Sequence, residues 1–506
     1  MKMKTSYIFY LLVFTGAGGM LSSCSKSFLT QNPKGELLQS NYYTSPAEAL
    51  QALTAAYSPL GWEVGGSDNT YIDKLGALNG GSDECLEGGA SATDIPQWQA
   101  MANYTMSGAV GPQAGLWDRN YTGITNSNLV LEEVGPASGL STAAQTEYWA
   151  EAHFLRAYYY FDLIREFGNI PLINHVLASS EIYTQVQAPA DSVFALIESD
   201  LTFAVANLPA TPEVLGRVTK GAANALFGKV ILWEMGASGT TRMQDAVNYL
   251  DAVNSSGLYT LLTNYADLFN PNNKFNSESI FEIAHTSAQV ASWSNWPNFL
   301  GNVYVNIIGI RSYTGPVYFS GGYGHNIVTT AEAQFLYSDP RYSASVINAD
   351  SITKATGTGY VASYENTGYF IAKFAPLQSD ASAQGVQELN FPNDYIEIRL
   401  ADTYLMEAEA LVRGGGSAPS GHTAQYFLDQ VRARVGLASI PATLANIYNE
   451  RRLELAFEGH RWFDLQRTGQ AATALAFKGY QSFNNILPIP LVELNNTKLK
   501  QNPGYQ

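Results

Sequence analysis

Residues 147–167 read EYWAEAHFLRAYYYFDLIREF, a run that is apolar on nearly every face once it is wound into a helix. Trp149, Ala152, Leu155, Tyr159, Leu163 and Phe167 form one row at helical spacing, and further aromatic residues fill the other sides. A helix of this kind cannot lie on a surface and must be buried between neighbours. Gly168 and Pro171 stop it, because proline cannot continue the backbone ladder and glycine closes helix ends.

The neighbours are legible as pairs. Arg217 to Met235 carries Ala222, Ala225, Gly228 and Leu232. A GASGTT turn follows, then a second helix with Ala246, Tyr249, Leu250 and Val253. The same design returns at Ile396 to Arg413, then GGGSAPSG, then Ala424 to Val435. Small residues at the contact let two helices approach closely, and such repeated units resemble tetratricopeptide repeats. The array is interrupted. Irregular inserts are expected at about 61–115 and 263–393, where the helical period fades into Asn, Gly, Ser and Tyr with short strand-like pieces such as Ser279 to His285. A structureless loop of the second insert's length is rare in a compact domain, so it should pack against the helices. The fold class is therefore mainly α, a tetratricopeptide-like helix-pair array with large loop and short-strand inserts.

The chain has 506 residues, only 14% of them charged, and a net charge of -16. No Lys or Arg cluster stands against that balance, which excludes nucleic acid and other polyanions as ligands. The N-terminus places Lys2 and Lys4 before an apolar run from Tyr7 to Phe14 that is too short to span a bilayer, then Leu21-Ser22-Ser23-Cys24. This is an export signal ending in the lipobox pattern of bacterial lipoproteins. Residues 1–23 are expected to be removed, Cys24 to be acylated, and 24–45 to form a tether into a single domain over 46–506. Cys85 then has no intrachain partner and should be a buried filler.

The stretch NERRLELAFEGHRWFDLQR, residues 449–467, concentrates most chemistry per residue. Glu450, Glu454 and Glu458 fall four apart on one helical row, and Glu458, Arg461, Asp464 and Arg467 alternate in sign if the helix continues past Gly459. Two carboxylates on neighbouring turns would suit a glycosidase. Yet every acid has an arginine within a turn, which favours ionised, paired carboxylates over a raised-pKa proton donor. The stretch therefore reads as a structural charge ladder. Six histidines are scattered without HxH or HExxH spacing, and no GxSxG or phosphate-binding loop appears, so no metal or other cofactor is expected.

Several ordered motifs are similar to the SusD/RagB-like outer-membrane lipoproteins of Bacteroidetes. They include the lipobox followed by CSKSFLTQNPKGEL, EYWAEAHFLRAYYYFDLIREFGNIPLI, GRVTKGAANALFGKVILWE, IEIRLADTYLMEAEALVR, LDQVRARVGL, NERRLELAFEGHRWFDLQR and LPIPLVELNNTKLKQNPGY. The resemblance implies a non-enzymatic protein, lipid-anchored on the outer membrane and facing the exterior. It would capture oligosaccharides, or alternatively peptides, for a SusC-like TonB-dependent transporter. A surface glycoside hydrolase and a protein-interaction scaffold are the competing readings.

Sugar sites join exposed flat aromatics to polar side chains. Trp149, Trp233, Trp462 and Trp117 lie in helical apolar rows and read as core. Trp62, Trp98, Trp293 and Trp296 sit among Gly, Ser, Asn and Gln in the two inserts and are the candidate ligand contacts. On the family's pattern the loop after Asp83-Glu84 adds Asn103, and the second insert adds Tyr304 and Arg311.

Overall fold

The computed structural model describes residues 43–62, 64–65, 70–71, 74–295, 299–315 and 319–505. The expected signal peptide (1–23), Cys24 and most of the expected tether (24–45) lie outside the described residues. Helices are named here in chain order: α1 (Pro46–Tyr57), α2 (Lys74–Gly81), α3 (Pro96–Ala102), α4 (Gln113–Glu133), α5 (Thr142–Phe167), α6 (Ala190–Asn207), α7 (Lys220–Glu234) and α8 (Met243–Asn254). After the second insert, which holds the short α9 (Tyr304–Ile308), come α10 (Leu400–Val412), α11 (Ala424–Arg434), α12 (Leu444–Glu454) and α13 (Arg461–Arg467).

Local chemistry sets the helix ends. Ser141 accepts a hydrogen bond from the Ala144 N–H to start α5, and Thr219 caps α7 through Ala222 in the same way. Gly168, at φ +71°, ends α5 in a conformation that glycine adopts without strain. From Ala150 to Phe167 every residue of α5 is buried except His153, as its all-round apolar character requires. Trp149 is only half-buried, its Nε1 donating to Val134 O at 2.9 Å.

The helices form a continuous stack. α4 packs on α5, α5 on α6, α6 on α7 and α7 on α8. A Cβ on Gly228 would fall 2.5 Å from Leu250 Cγ, so the close approach of α7 and α8 depends on that glycine. The next layer on α8 is α10, which comes after the entire second insert, and α10 in turn carries α11 and α12. The insert is pinched at its base by one antiparallel ribbon, in which Ser279–Ile283 pairs with Tyr395–Arg399, Ser279 opposite Arg399 and Ile283 opposite Tyr395. Tying off the insert there lets the array resume in register.

The ribbon corrects one sequence expectation. Ile396 to Arg399 is strand, not the first turn of a helix, because β-branched Ile396 and Ile398 alternate with Glu397 and Arg399 and both faces are covered. Neither insert is structureless. The first contains α2, whose eight residues are all buried, and α3. The second shares a hydrophobic cluster, around Val305, Ile308, Phe374 and Phe391, with Leu75 and Trp98 of the first insert and with Phe457, and has one of its own around Ile310, Ile347 and Phe370. Cys85 is a free thiol, fully buried beside Val328 in a two-residue β-pairing.

The charged stretch also differs from its sequence reading. α12 ends at Glu454, Phe457 (φ +65°) and Gly459 (φ +75°) turn the chain, and α13 restarts at Arg461, so no single ladder exists. The acids remain paired, with arginines from far along the chain. Glu454 binds Arg341 at 2.7 Å, Arg399 at 2.5 Å and also Arg434. Glu450 binds Arg341 at 2.7 Å and Arg432 at 2.6 Å. Glu458 binds Arg399 at 2.8 Å and Lys373 at 2.5 Å. Burial would raise the Glu454 carboxyl, but Arg434, Arg399 and Arg341 together outweigh it and hold that acid well below the usual carboxylate range.

Candidate functional site

α1 runs into a 3-10 turn over Ser58–Gly61, opened by Pro59, which carries Trp62 to the protein surface. The turn is fixed from beneath. Buried Arg119 of α4 donates from Nε to Pro59 O at 2.9 Å and from Nη2 to Leu60 O at 3.3 Å, and its charge is met by Asp162 of α5. Trp62 is half-buried, with Nε1 donating to Ser58 Oγ at 3.4 Å.

Beside Trp62 opens a cleft of about 850 Å³. One wall is the outer face of α1, with Leu50, Thr54 and Tyr57; the loop Val214–Arg217 forms the second. The third is the end of the Ser279–Ile283 strand and its continuation to His285, with Gln289, Phe299 and Leu300 at the rim. Tyr57 anchors two walls at once, since its hydroxyl donates to Glu151 at 2.6 Å and accepts from the Val218 N–H at 3.0 Å. Arg217 holds the same Glu151 at 2.9 Å through Nε and lies over the Tyr148 ring at 5.0 Å. Behind Trp62 a chamber of about 30 Å³ reaches Lys74, Arg119 and Asn302, room for a water molecule but not for a ligand.

The floor is braced by a carboxyl pair. Lys274 Nζ donates to His285 O and Pro392 O at 2.6 Å and to Asp394 at 2.5 Å, and the His285 N–H donates to Asp394 at 2.7 Å. Glu282 accepts the Phe275 N–H at 3.0 Å. Burial, with Asp394 adding to it, pushes the Glu282 carboxyl up to about 7. A raised folded-state pKa means stability that is complete below the unfolded value and lost as pH rises through about 7. Glu282→Gln should therefore be neutral near pH 4, below the unfolded carboxylate value, and should raise unfolding free energy by about 1–2 kcal/mol near pH 8.5. Denaturant titrations at the two pH values check this; an equal effect at both would show that Glu282 is ionised throughout.

The sequence candidates do not converge on one place. Trp62 lines the cleft. Trp293 is 44% exposed on a 3-10 turn, Trp293–Asn295, which follows Gln289 and precedes Phe299 in the chain, but it is not among the residues that line the cleft. Trp296 lies outside the described residues. Trp98 and Tyr304 are fully buried, which corrects the expectation that they present rings to a ligand. Trp98 points inward from α3 onto α2, where a Cβ on Gly76 would sit 2.2 Å from the indole, and its ring lies 6.3 Å from Tyr304 and 6.0 Å from His325. The Tyr304 hydroxyl accepts from Asn79 at 2.9 Å and lies 3.1 Å from Asn326 Oδ1. Asn103 is exposed but spends its Nδ2 on Gln99 O at 2.9 Å at the end of α3. Arg311 is half-buried in another loop cluster, near Ala362 O at 3.4 Å. Neither lines the cleft. Sequence reasoning missed Tyr57, His285, Gln289, Phe299 and the 214–217 loop. The one local signal for them was an apolar Val214-Leu215 pair stranded among turn residues.

An aromatic rim, aliphatic patches and scattered hydrogen-bonding groups suit a ligand with apolar faces and polar edges. Among the described residues no group of three or more His, Cys, Asp or Glu is placed to hold a metal, and no helix is long and apolar enough to cross a membrane.

Comparison with known proteins agrees over both halves of the chain. The family described as "Starch-binding associating with outer membrane" matches residues 81–232, and the SusD family matches residues 240–505. A SusD-like protein of Bacteroides ovatus is 30% identical, covering 90% of this chain and 81% of its own. Among solved structures, a laminarin-binding SusD-like protein has 40% identity and a TM-score of 0.85, covering 92% of this chain and 100% of its own. Surface glycan-binding protein A from Bacteroides thetaiotaomicron, in complex with laminarihexaose, has 28% identity and a TM-score of 0.82, covering 91% and 100%. With its C-terminal half matched by the family model and its helix stack shared with these structures, the chain belongs to the SusD family.

Proposed function

We propose that the protein captures oligosaccharides in the Trp62 cleft, without altering them, and hands them to a SusC-like TonB-dependent transporter. The observation that carries this reading is an open cleft of about 850 Å³ with Trp62, Tyr57 and Phe299 in its lining. A β-glucan of the laminarin type is the proposed ligand, on the strength of the laminarin-binding relative. In this reading residues 1–23 are cleaved, Cys24 is lipidated, and the single domain over 46–506 stands on the outer-membrane exterior. A non-catalytic role agrees with the acids of the 449–467 stretch: Glu450, Glu454 and Glu458 are buried and paired with cations, and half-buried Asp464 is paired with Arg451 and Arg467. Exposed Val214, Leu215 and Leu300 on the cleft walls favour one second reading, a peptide with apolar side chains.

Titration of laminarihexaose into the purified mature chain should give saturable binding, with no increase in reducing ends after prolonged incubation. New reducing ends would make the protein a hydrolase. Binding of a mixed peptide library without binding of the hexasaccharide would move the assignment to peptide capture.

A further inference from the structure

Across the second insert from the cleft lies another pocket, of about 430 Å³, lined almost wholly by polar groups. Its base is Asn306 on α9, and its sides are Ser320, Gln378, Gln387 and Glu388. Asn306 is 2% exposed, yet its Nδ2 has no hydrogen-bond partner among the described residues. A buried amide donor without a partner is costly to leave unmade, so its retention beside a cavity calls for an acceptor arriving from outside. The remaining groups are set by one another. Gln387 Nε2 donates to Ser320 Oγ at 2.7 Å, Ser320 Oγ in turn lies 3.4 Å from Gln378 Oε1, and Glu388 accepts the Tyr323 hydroxyl at 3.0 Å.

We infer that this pocket is a second saccharide subsite, taking one or two neutral sugar rings through their hydroxyls. The volume lies within the range of small-ligand sites. Carboxamides, a hydroxyl and a carboxylate both donate to and accept from sugar hydroxyls. The lining contains Glu388 and no Lys or Arg, which disfavours sulfated or uronic acid residues.

Its position relative to the cleft gives the pocket its use. Segment 385–391 is the partition between them. It pairs with the cleft-rim segment through the bridges Ala291 to Gly385 and Asn302 to Phe391, and Asn390 Nδ2 donates to Gln289 O at 3.0 Å. Residues 386–388 of the same segment line the polar pocket. A polymer held by the cleft is thereby brought close to the second subsite at high effective concentration, and the pocket acts as an auxiliary grip on long chains.

This inference rests on the cleft being a glycan site, and the test separates the two. Gln387→Ala/Glu388→Ala changes two half-buried residues and should leave the fold intact by circular dichroism. Laminarihexaose affinity of that variant should stay within about twofold of the native chain, while affinity for polymeric laminarin falls about tenfold. In a Trp62→Ala background, the weak residual binding of laminarin should disappear when the two pocket substitutions are added. Unchanged polymer affinity, with the Trp62→Ala residue of binding intact in the triple variant, overturns the second subsite and leaves the cleft reading standing. Failure of the native chain to bind either probe overturns both.

Discussion

Arg399→Met should lower the unfolding free energy by about 3–5 kcal/mol, among the largest losses available to a single substitution in this protein. Arg399 is 1% exposed and makes five hydrogen bonds. Nε and Nη2 grip the two Glu458 oxygens at 2.8 Å, Nη1 reaches Glu278 at 3.0 Å and Glu454 at 2.5 Å, and Nη2 also donates to Glu454 O at 2.8 Å. It sits at the last residue of the ribbon that pinches off the second insert, opposite Ser279. Methionine would keep much of the volume but leave Glu278, Glu454 and Glu458 buried with too few cations, and it is the stranded charge that costs. Because the Glu454 and Glu458 carboxyls are held low in the folded state, their contribution is present above the unfolded carboxylate range and is lost as pH falls through the folded values. The deficit of Arg399→Met should therefore shrink in acid. Urea titration near pH 7 and near pH 4 measures both quantities. A loss below about 1 kcal/mol near neutral pH would mean that Arg341, Arg434 and Lys373 suffice to neutralise the cluster.

The second large effect is on binding. Trp62→Ala should weaken laminarihexaose binding by about 2 kcal/mol, roughly thirtyfold, the size expected when a tryptophan anchor at a binding surface is truncated. Stability should change little, since Trp62 is half-exposed and the turn carrying it is held by Arg119 through backbone carbonyls. Trp98→Ala is the matched control. Its indole is fully buried against Gly76 and Tyr304, so its loss should cost about 3–5 kcal/mol of stability through the cavity left behind. At a temperature where the Trp98 variant remains folded, its affinity should be close to native. If Trp98→Ala abolished binding in the folded state while Trp62→Ala did not, the site would lie elsewhere in the inserts.

These two tryptophans show where sequence reading reaches its limit. Both sit among Gly, Ser, Gln and Asn in the first insert, and both were sound candidates on composition. They part company because α3 lies against α2, with a glycine at position 76 leaving space for one indole, while Pro59 and Arg119 turn the other outward. Pro59 lies only three residues before Trp62, but a proline there does not by itself say which way the indole faces; Arg119 and the packing of α3 on α2 decide that. The same holds for Glu454, whose charge and pairing were foreseeable from its arginine-rich surroundings. Its partners Arg341, Arg399 and Arg434 were not, because the chain breaks at Phe457 and Gly459 and the ribbon brings Arg399 in from the far end of the insert.

By itself the sequence determined whatever depends on neighbours within a few turns: the buried α5 with its glycine stop, the close α7–α8 pair built on Gly228, the strand at Ser279–Ile283, and the order of motifs that marks the family. Only the tertiary structure decided which aromatic rings face solvent, that the array resumes when α10 packs on α8, and that α1, the 214–217 loop and the second insert meet around Trp62. The physical reason is range. Helix periodicity and capping are written in residues three or four apart, whereas a cleft is the space left between segments whose relative placement is fixed by the packing of the whole chain.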